Sequence, residues 1–579
     1  MCYLSVIHTL IMKKTLIFFL VFILATTLSA QTPIYNSSSA HHPIVAKEGM
    51  VATQHHLATQ VGLDILKKGG NAVDAAVAVG FALAVVLPRA GNLGGGGFML
   101  VHKASAGETR AINYREIAPK AAHRDMYLNE VGDVDEGEFN LSYNSIGVPG
   151  TVAGMIHALE NYGTMPLQEV IAPAIDLAEE GFAVTYDLSE VLGKSQKRLR
   201  RSTETERIFY KGEDFYMPGD LLKQPELAWS LTQISKRGQA GFYQGKLAKR
   251  LIKAIQKNGG VMTMEDLKHY KVTETVPVSG TYRGFEVASM PPPSSGGVHV
   301  IQMLNILEGY DLKSSEHNSA ETIHLMAESM RYAYADRSAH LGDPAFWDVP
   351  TEGLISKTYA EDIRFNIRLD SAATSTEVKP GNPSDYESEE TTHFSIVDKE
   401  GNVVSNTYTL NFSFGSGLVA KGTGILLNNE MGDFSAKPGT PNAYALVGGE
   451  ANAVQPGKRP LSSMTPTIVF KEGKPFIVTG SPGGSRIITT VLQVILNVID
   501  HGMNIAEATH AKRIHHQWFP DILYYEKYLS SDTRSILEDM GHTLKERNAM
   551  GSTQSIMIKD GLILGSSDSR RPDAKTSGF

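Results

Sequence analysis

Residues 388–405 read SEETTHFSIVDKEGNVVS, and the junction inside them decides the organisation of the whole chain. Upstream lies a polar run, 371–390, whose apolar members are Ala372, Ala373, Val378 and Tyr386. Downstream, Phe394, Ile396 and Val397 begin a strand that turns at 398–402 and returns through Val403 and Val404. A polar linker thus enters a core strand with no cap or turn between them, and a threonine stands at the join. If the bond between Glu390 and Thr391 were cut, Thr391 would carry a hydroxyl and a free α-amine on one residue. An α-amine titrates at roughly 7.7–8.0, so it can act as a base near neutral pH and activate its own hydroxyl. The competing reading is a plain linker that simply runs into a strand.

The flanking chain reads as layers. HHLATQVGLDILKK (55–68) is a helix stopped at Gly69-Gly70, and a nearly all-apolar helix follows, ending before Pro88. A helix apolar on every side is a buried one. GNLGGGGFMLVHK (91–103) switches to strand, with a turn at 105–107. Further helices are expected around 151–161, 167–180, 224–236, 247–258 and 319–335, with a proline-rich loop at 290–299. After residue 391, strand–turn–strand units recur in HFSIVDKEGNVVSNTYT, PTIVFKEGKPFIVTG and SIMIKDGLILGSS, each turning at a charged residue and glycine. Hairpins from both halves can pair into sheets covered by helices, so the linker divides the sequence without necessarily dividing the fold.

Bulk properties narrow the function. The chain has 579 residues, 42% hydrophobic and 20% charged, with a formal charge of -8. No basic stripe interleaved with aromatics is present, so no nucleic-acid partner is expected. Lys13-Lys14, the apolar run TLIFFLVFILATTL and Ser29-Ala30 make residues 1–30 a signal peptide and predict an exported, periplasmic protein. The sole cysteine, Cys2, lies in that leader, which excludes disulfides and thiol catalysis from the mature chain.

Nineteen histidines raise the question of a metal. The adjacent pairs at 41–42, 55–56 and 515–516 lack the i, i+4 spacing that places two imidazoles on one helical face. No catalytic metal and no cofactor are expected. GNLGGGGF lacks the following Lys-Ser/Thr of a phosphate loop and enters a strand rather than a helix, which favours close backbone packing or a tight turn. In TGSPGGSRIITTVLQ a strand ends at Thr479 and Gly483-Gly484 precede a helix. Unpaired N–H groups there have the form of an oxyanion hole, although a bare strand-to-helix turn would look the same.

Taken in order, GMVATQHHLATQVGLDILKKGGNAVDAAVA, NYREIAP, MPPPSSGGVH, TTHFSIVD, YTLNFSFGSG, LLNNEMGDFSAKPG, RPLSSMTPTIV and GSPGGSRII carry a resemblance. The chain resembles the bacterial γ-glutamyltranspeptidases, N-terminal-nucleophile hydrolases. The likeness implies an α+β fold, a four-layer αββα sandwich of two stacked, mainly antiparallel sheets. It implies self-cleavage between Glu390 and Thr391 into a large subunit, 31–390, and a small subunit, 391–579, that stay together as a heterodimer. Thr391 would then attack the γ-glutamyl amide of glutathione and related compounds. The acyl group would pass to water or to the amine of an amino acid or dipeptide.

By the same likeness Thr409 supports the nucleophile, and Gly483 and Gly484 form the oxyanion hole. Arg115, Ser462 and Ser463 hold the substrate α-carboxylate, while Asn411, Glu430 and Asp433 hold its α-ammonium. Tyr444, within 437–452, gates a lid. Glu430 stands where some relatives have glutamine, and Gly432 replaces an acidic residue often found there. Two other functions compete: a glutaryl-type acylase using the same threonine, and a noncatalytic exported binding protein. Asn411 and Asp433 speak against the acylase, which needs no ammonium pocket. The intact Thr391, Thr409, Gly483-Gly484 and Arg115 set speaks against the binding protein.

Overall fold

The hairpin after residue 391 is the middle of a seven-stranded sheet. The computed structural model describes residues 39–379, 391–439 and 449–579, and residues 43–579 form one compact unit. Strand Thr392–Val397 pairs antiparallel with Val403–Thr409 on one side and with Met50–Thr53 on the other. The full order of that sheet is Lys575–Gly578, Met50–Thr53, Thr392–Val397, Val403–Thr409, Gly96–Lys103, Glu108–Asn113 and Thr273–Thr275. The second seven-stranded sheet runs Ile44–Ala46, Leu562–Ser567, Gln554–Lys559, Lys474–Thr479, Thr467–Lys471, Phe285–Ser289 and Val278–Tyr282. Both sheets draw strands from before and after residue 391, so the linker divides the sequence but not the fold.

Alternation along the hairpin sorts its side chains between two layers. Phe394, Ile396, Val404 and Tyr408 join the apolar core formed with helix Ala72–Val86, every residue of which is buried. His393, Ser395, Ser405 and Thr407 face the other way, into the seam between the sheets. There Ser395 Oγ donates to the Gln554 carbonyl (2.8 Å) and Ser405 Oγ to the Thr479 carbonyl (3.1 Å). The seam is therefore made of short polar groups whose hydrogen bonds are met across the layers, as buried polar atoms require. The hairpin turn also caps a helix. Asp398 accepts from the N–H groups of Glu400 and Asn402 and, at 2.9 Å, from that of Ala72 at the start of Ala72–Val86.

Helices His56–Lys67 and Ala72–Val86 cover the first sheet; Gly296–Leu307 and Ile505–His510 pack on the second, with Arg486–Ile499 against Gly296–Leu307. The expected four-layer αββα sandwich is the observed fold. Among the described residues no helix is long and apolar enough to cross a membrane.

Three expectations change in detail. The loop expected over 290–299 ends at Ser295, and helix Gly296–Leu307 begins inside it. Its two leading glycines are packing devices: a Cβ on Gly296 would lie 1.9 Å from Thr465 Oγ1, and one on Gly297 would lie 2.4 Å from the Met290 carbonyl. The helix expected to stop near 335 continues to His340 and so contains Asp336 and Arg337. The described part of the polar run 371–390 is not a loose linker. Ser375 and Val378 are buried, the Ser375 N–H donates to Asp521 (2.7 Å), and the Trp518 indole donates to the Val378 carbonyl (2.7 Å).

Candidate active site

Thr391 precedes strand Thr392–Val397 and continues the face of His393 and Ser395, so its hydroxyl points into the seam. It is 5% exposed. Its Oγ1 lies 3.4 Å from Oγ1 of Thr409, the last residue of the partner strand. The Thr409 hydroxyl is oriented in turn, accepting from the Asn411 N–H at 2.9 Å. Asn411 adopts a left-handed backbone, φ 74°, and its side-chain amide donates to the Asn429 carbonyl (3.0 Å). This sharp turn joins the end of the hairpin that Thr391 leads to the segment that carries Glu430 and Asp433.

The glycine-rich stretch explains itself here. Gly96 pairs with Thr409 across the sheet, and a Cβ on Gly95 would fall 2.0 Å from the Thr409 carbonyl. The Asn92 side chain donates to that same carbonyl at 2.9 Å and accepts from the Gly95 N–H. Backbone thus packs directly on backbone behind Thr409, which is the packing reading of the motif.

Arg115 is fully buried and surrounded by acids. Its guanidinium donates to Glu430 and to Asp433, lies 3.6 Å from Glu116, and reaches the carbonyls of Pro460 and Leu461 at 3.3 Å. Burial opposes its charge, but the three carboxyls outweigh that and hold it protonated. Burial is also the main force on the acids. It pushes Glu116 up to about 7 and Glu430 well above the usual carboxylate range, with Arg115 pulling both back. Asp433 is raised for the same reason. Arg337 adds to Arg115 in pulling Asp433 down, and burial offsets the remaining carboxyl charge by favouring the protonated forms.

Ser462 and Ser463 flank this group. The Ser463 hydroxyl accepts from Arg337 (2.9 Å), while the Ser462 hydroxyl accepts from the Met464 N–H within its own loop (3.1 Å). Gly483 and Gly484, at φ 131° and 59°, sit in the turn before helix Arg486–Ile499, whose start has no side-chain cap. That turn leaves the seam at Gly480, where a Cβ would meet the His393 ring at 2.4 Å. Gly483 borders a cavity of about 210 Å³ that is also lined by Arg486, Arg570 and Arg571.

The structure thus brings together Thr391 with Thr409, Arg115 with Glu430 and Asp433, and Asn411 with the segment holding the two acids. Glu390 and Tyr444 lie outside the described residues. Sequence reading missed two members of this cluster. Glu116 is fully buried against Arg115, and its only signal was a second charge inside NYREIAP. Arg337 was missed because its helix seemed to end two residues earlier.

The family described as Gamma-glutamyltranspeptidase matches residues 58–578. A glutathione hydrolase proenzyme of Escherichia coli (strain K12) is 54% identical over 540 residues, covering 93% of each chain. Among solved structures, a cephalosporin acylase from Bacillus halodurans superposes with a TM-score of 0.83 at 29% identity, covering 96% of this chain and 99% of the other. A Helicobacter pylori γ-glutamyltranspeptidase chain superposes with a TM-score of 0.56 at 44% identity, covering 61% of this chain and 97% of its own. A threonine at the head of a central strand, a second threonine behind it, and a buried guanidinium ringed by acids all fall inside the matched span. The chain belongs to the γ-glutamyltranspeptidase family of enzymes.

Proposed function

We propose that this enzyme cuts itself between Glu390 and Thr391 and then transfers γ-glutamyl groups, with glutathione and related γ-glutamyl amides as donors. The observation that carries the reading is the contact of Thr391 Oγ1 with Thr409 Oγ1, linked through Asn411 and Asn429 to the segment that pairs with buried Arg115.

In the precursor, Thr391 Oγ attacks the Glu390 carbonyl, and the acyl group moves from nitrogen to oxygen. Water then hydrolyses the ester and leaves a free amine on Thr391. The amine takes the hydroxyl proton as Thr391 attacks the donor's γ-amide, and hands it to the departing amine, leaving an ester on Thr391. N–H groups of Gly483 and Gly484 at an uncapped helix start suit the oxyanion of each tetrahedral intermediate. Water releases glutamate, and the amine of an amino acid or dipeptide yields a new γ-glutamyl compound. Thr409 holds the nucleophile's hydroxyl and needs no charge of its own.

Selection of the donor rests on its zwitterionic end. The α-carboxylate takes the Arg115 fork, with Ser462 and Ser463 beside it. The α-ammonium takes the place of that guanidinium against Glu430, Asp433 and Asn411. An acylase for glutaryl side chains needs no such cation site, which favours γ-glutamyl transfer. The resemblance supports the remaining parts: a large subunit, 31–390, and a small subunit, 391–579, as a heterodimer; Tyr444 as a gate; and export to the periplasm behind a leader. The share of this chain aligned with the Helicobacter pylori chain, 61%, is about what residues 31–390 make up.

Intact mass under denaturing conditions tests the proposal. Two chains in the parent, the smaller beginning at Thr391, and one uncut chain in Thr391→Ala are expected. One uncut chain in both would remove the free amine and the mechanism with it. Comparing γ-glutamyl and glutaryl anilides then separates transferase from acylase.

A further inference from the structure

On the far side of helix Ala320–His340 lies a cluster that the γ-glutamyl chemistry does not use. His324 and Glu328, four residues apart, share one face of this helix, and His542 approaches them from the turn after helix Ser531–Asp539. All three are buried, and one ligand atom from each lies within 4.8 Å of the others.

The hydrogen bonds fix the tautomers. His324 Nε2 is 2.7 Å from the Arg368 carbonyl, which can only accept, so the proton sits there and Nδ1 is a lone pair. That lone pair points at His542 Nε2, 2.8 Å away. His542 Nδ1 is buried and has no hydrogen-bond partner among the described residues. Neither tautomer of His542 satisfies both of its nitrogens. With the proton on Nε2 the two rings hydrogen-bond and a buried lone pair is left at Nδ1. With the proton on Nδ1 two lone pairs face each other, and a cation between the rings relieves that second arrangement while the Nδ1 N–H keeps no partner among the described residues. A ring that donates its outer N–H to a backbone carbonyl while aiming its other nitrogen inward is the usual posture of a metal-bound histidine.

Charge agrees. Arg331 donates to Glu328 (3.2 Å) and pairs with Asp521, and Asp370 and Arg368 also act on His324, so three carboxylates stand against two guanidiniums, with the buried ring of His516 nearby. Glu328 receives only a long contact from the Ala373 N–H, 3.4 Å, on its other oxygen.

We propose that His324, Glu328 and His542 bind one divalent transition-metal ion of the zinc class. Two imidazoles and a carboxylate suit zinc, whereas calcium and magnesium demand oxygen. Zn–N bonds of roughly 2.0–2.1 Å at a tetrahedral angle set two nitrogens about 3.3 Å apart. The rings need part by only about half an ångström from their present 2.8 Å. The fourth position falls to water. The ion's role is structural: it ties helix Ala320–His340 to the C-terminal segment and to the chain at 368–378, which leads toward residue 391.

The test uses full-length protein stripped with EDTA and titrated with CoCl₂ and ZnCl₂. One equivalent of cobalt with the intense visible bands of a tetrahedral site is expected, as is a higher melting temperature with zinc. Changing an outer partner of a metal site lowers affinity roughly 10–100-fold, so His542→Gln and Glu328→Gln should lose at least that much. His269→Ala, at an exposed histidine, should lose nothing. Binding equal in His542→Gln and the parent, or absent from the parent, overturns the proposal. Crystals of the parent grown with ZnCl₂ decide the matter even if the variants fail to fold. An anomalous peak among the three side chains is required, and its absence there is fatal.

Discussion

Arg115 donates to Glu430 in a setting where the two side chains are 0% and 1% exposed. On the proposed function this pair imitates a bound donor: the guanidinium stands where the donor's ammonium would, and the carboxylate where its carboxylate would. Donor binding is then an exchange of partners within a buried site, not a capture of charge from water. Such exchange avoids leaving either charge buried alone, the state that costs most.

The fork geometry of Arg115 should matter more than its charge. Arg115→Lys keeps a cation but loses the planar donors that reach Glu430, Asp433 and two carbonyls at once. A charge-assisted hydrogen bond is worth about 1.5–3 kcal/mol. The expected result is a KM for a γ-glutamyl anilide raised roughly 10–100-fold, with a smaller change in kcat. An unchanged KM would show that the carboxylate of the donor binds elsewhere.

Glu116 gives the site a pH signature. Burial raises its carboxyl from an ordinary 4.5 to about 7, so between those values the folded protein binds a proton that the unfolded chain has released. Its contribution is thus fully present below about 4.5 and is lost as pH rises to about 7. The loss is on the order of 3 kcal/mol, at about 1.4 kcal/mol per pH unit. Urea melts of Glu116→Gln should show a flatter fall of stability across that window than the parent. A slope identical to the parent's would assign the proton to Glu430 or Asp433.

Thr409→Val removes the hydroxyl beside Thr391 and with it the hydrogen bond from the Asn411 N–H. Losing a buried hydrogen bond costs about 1–3 kcal/mol. If that loss is felt in the reacting geometry, the precursor should disappear roughly 10–100-fold more slowly, followed by mass spectrometry after expression. Processing at the parental rate would leave Thr409 a purely structural residue.

Two glycines separate packing from flexibility. Gly95→Ala places a methyl 2.0 Å from the Thr409 carbonyl, backbone against backbone, so it should lower stability by about 3 kcal/mol or more and disturb processing. Gly353→Ala meets nothing within 4 Å in a short helix, and should be neutral or slightly stabilising. Thermal melts of the two would rank them, and equal effects would refute the packing account of the glycine-rich stretch.

Different parts of this molecule were legible to different degrees. Thr391 stood out because a polar run entered a core strand without a turn, and the helix Ala72–Val86 because it is apolar on all sides. Both signals are local. The roles of Arg115 and Asp433 came only through resemblance, because residues more than 300 positions apart leave no spacing to read. Glu116 escaped because burial of a charge has no sequence period. The linker looked loose because Ser375 and Val378 are anchored by Trp518 and Asp521, far along the chain. His324 and Glu328 had helical spacing, but their third partner lies 218 residues beyond His324.

The interleaving of strands has a further consequence. Met50–Thr53 lies between Lys575–Gly578 and Thr392–Val397, and Gly96–Lys103 pairs against Val403–Thr409. A cut before Thr391 therefore severs a covalent bond without producing two objects that can part. Unfolding the uncut chain is a unimolecular event that can reverse itself at any dilution. Unfolding the cut one turns refolding into an encounter between two pieces, dependent on concentration and competing with aggregation. Self-cleavage would act as a ratchet: the mature enzyme keeps its shape through the slowness of ever losing it.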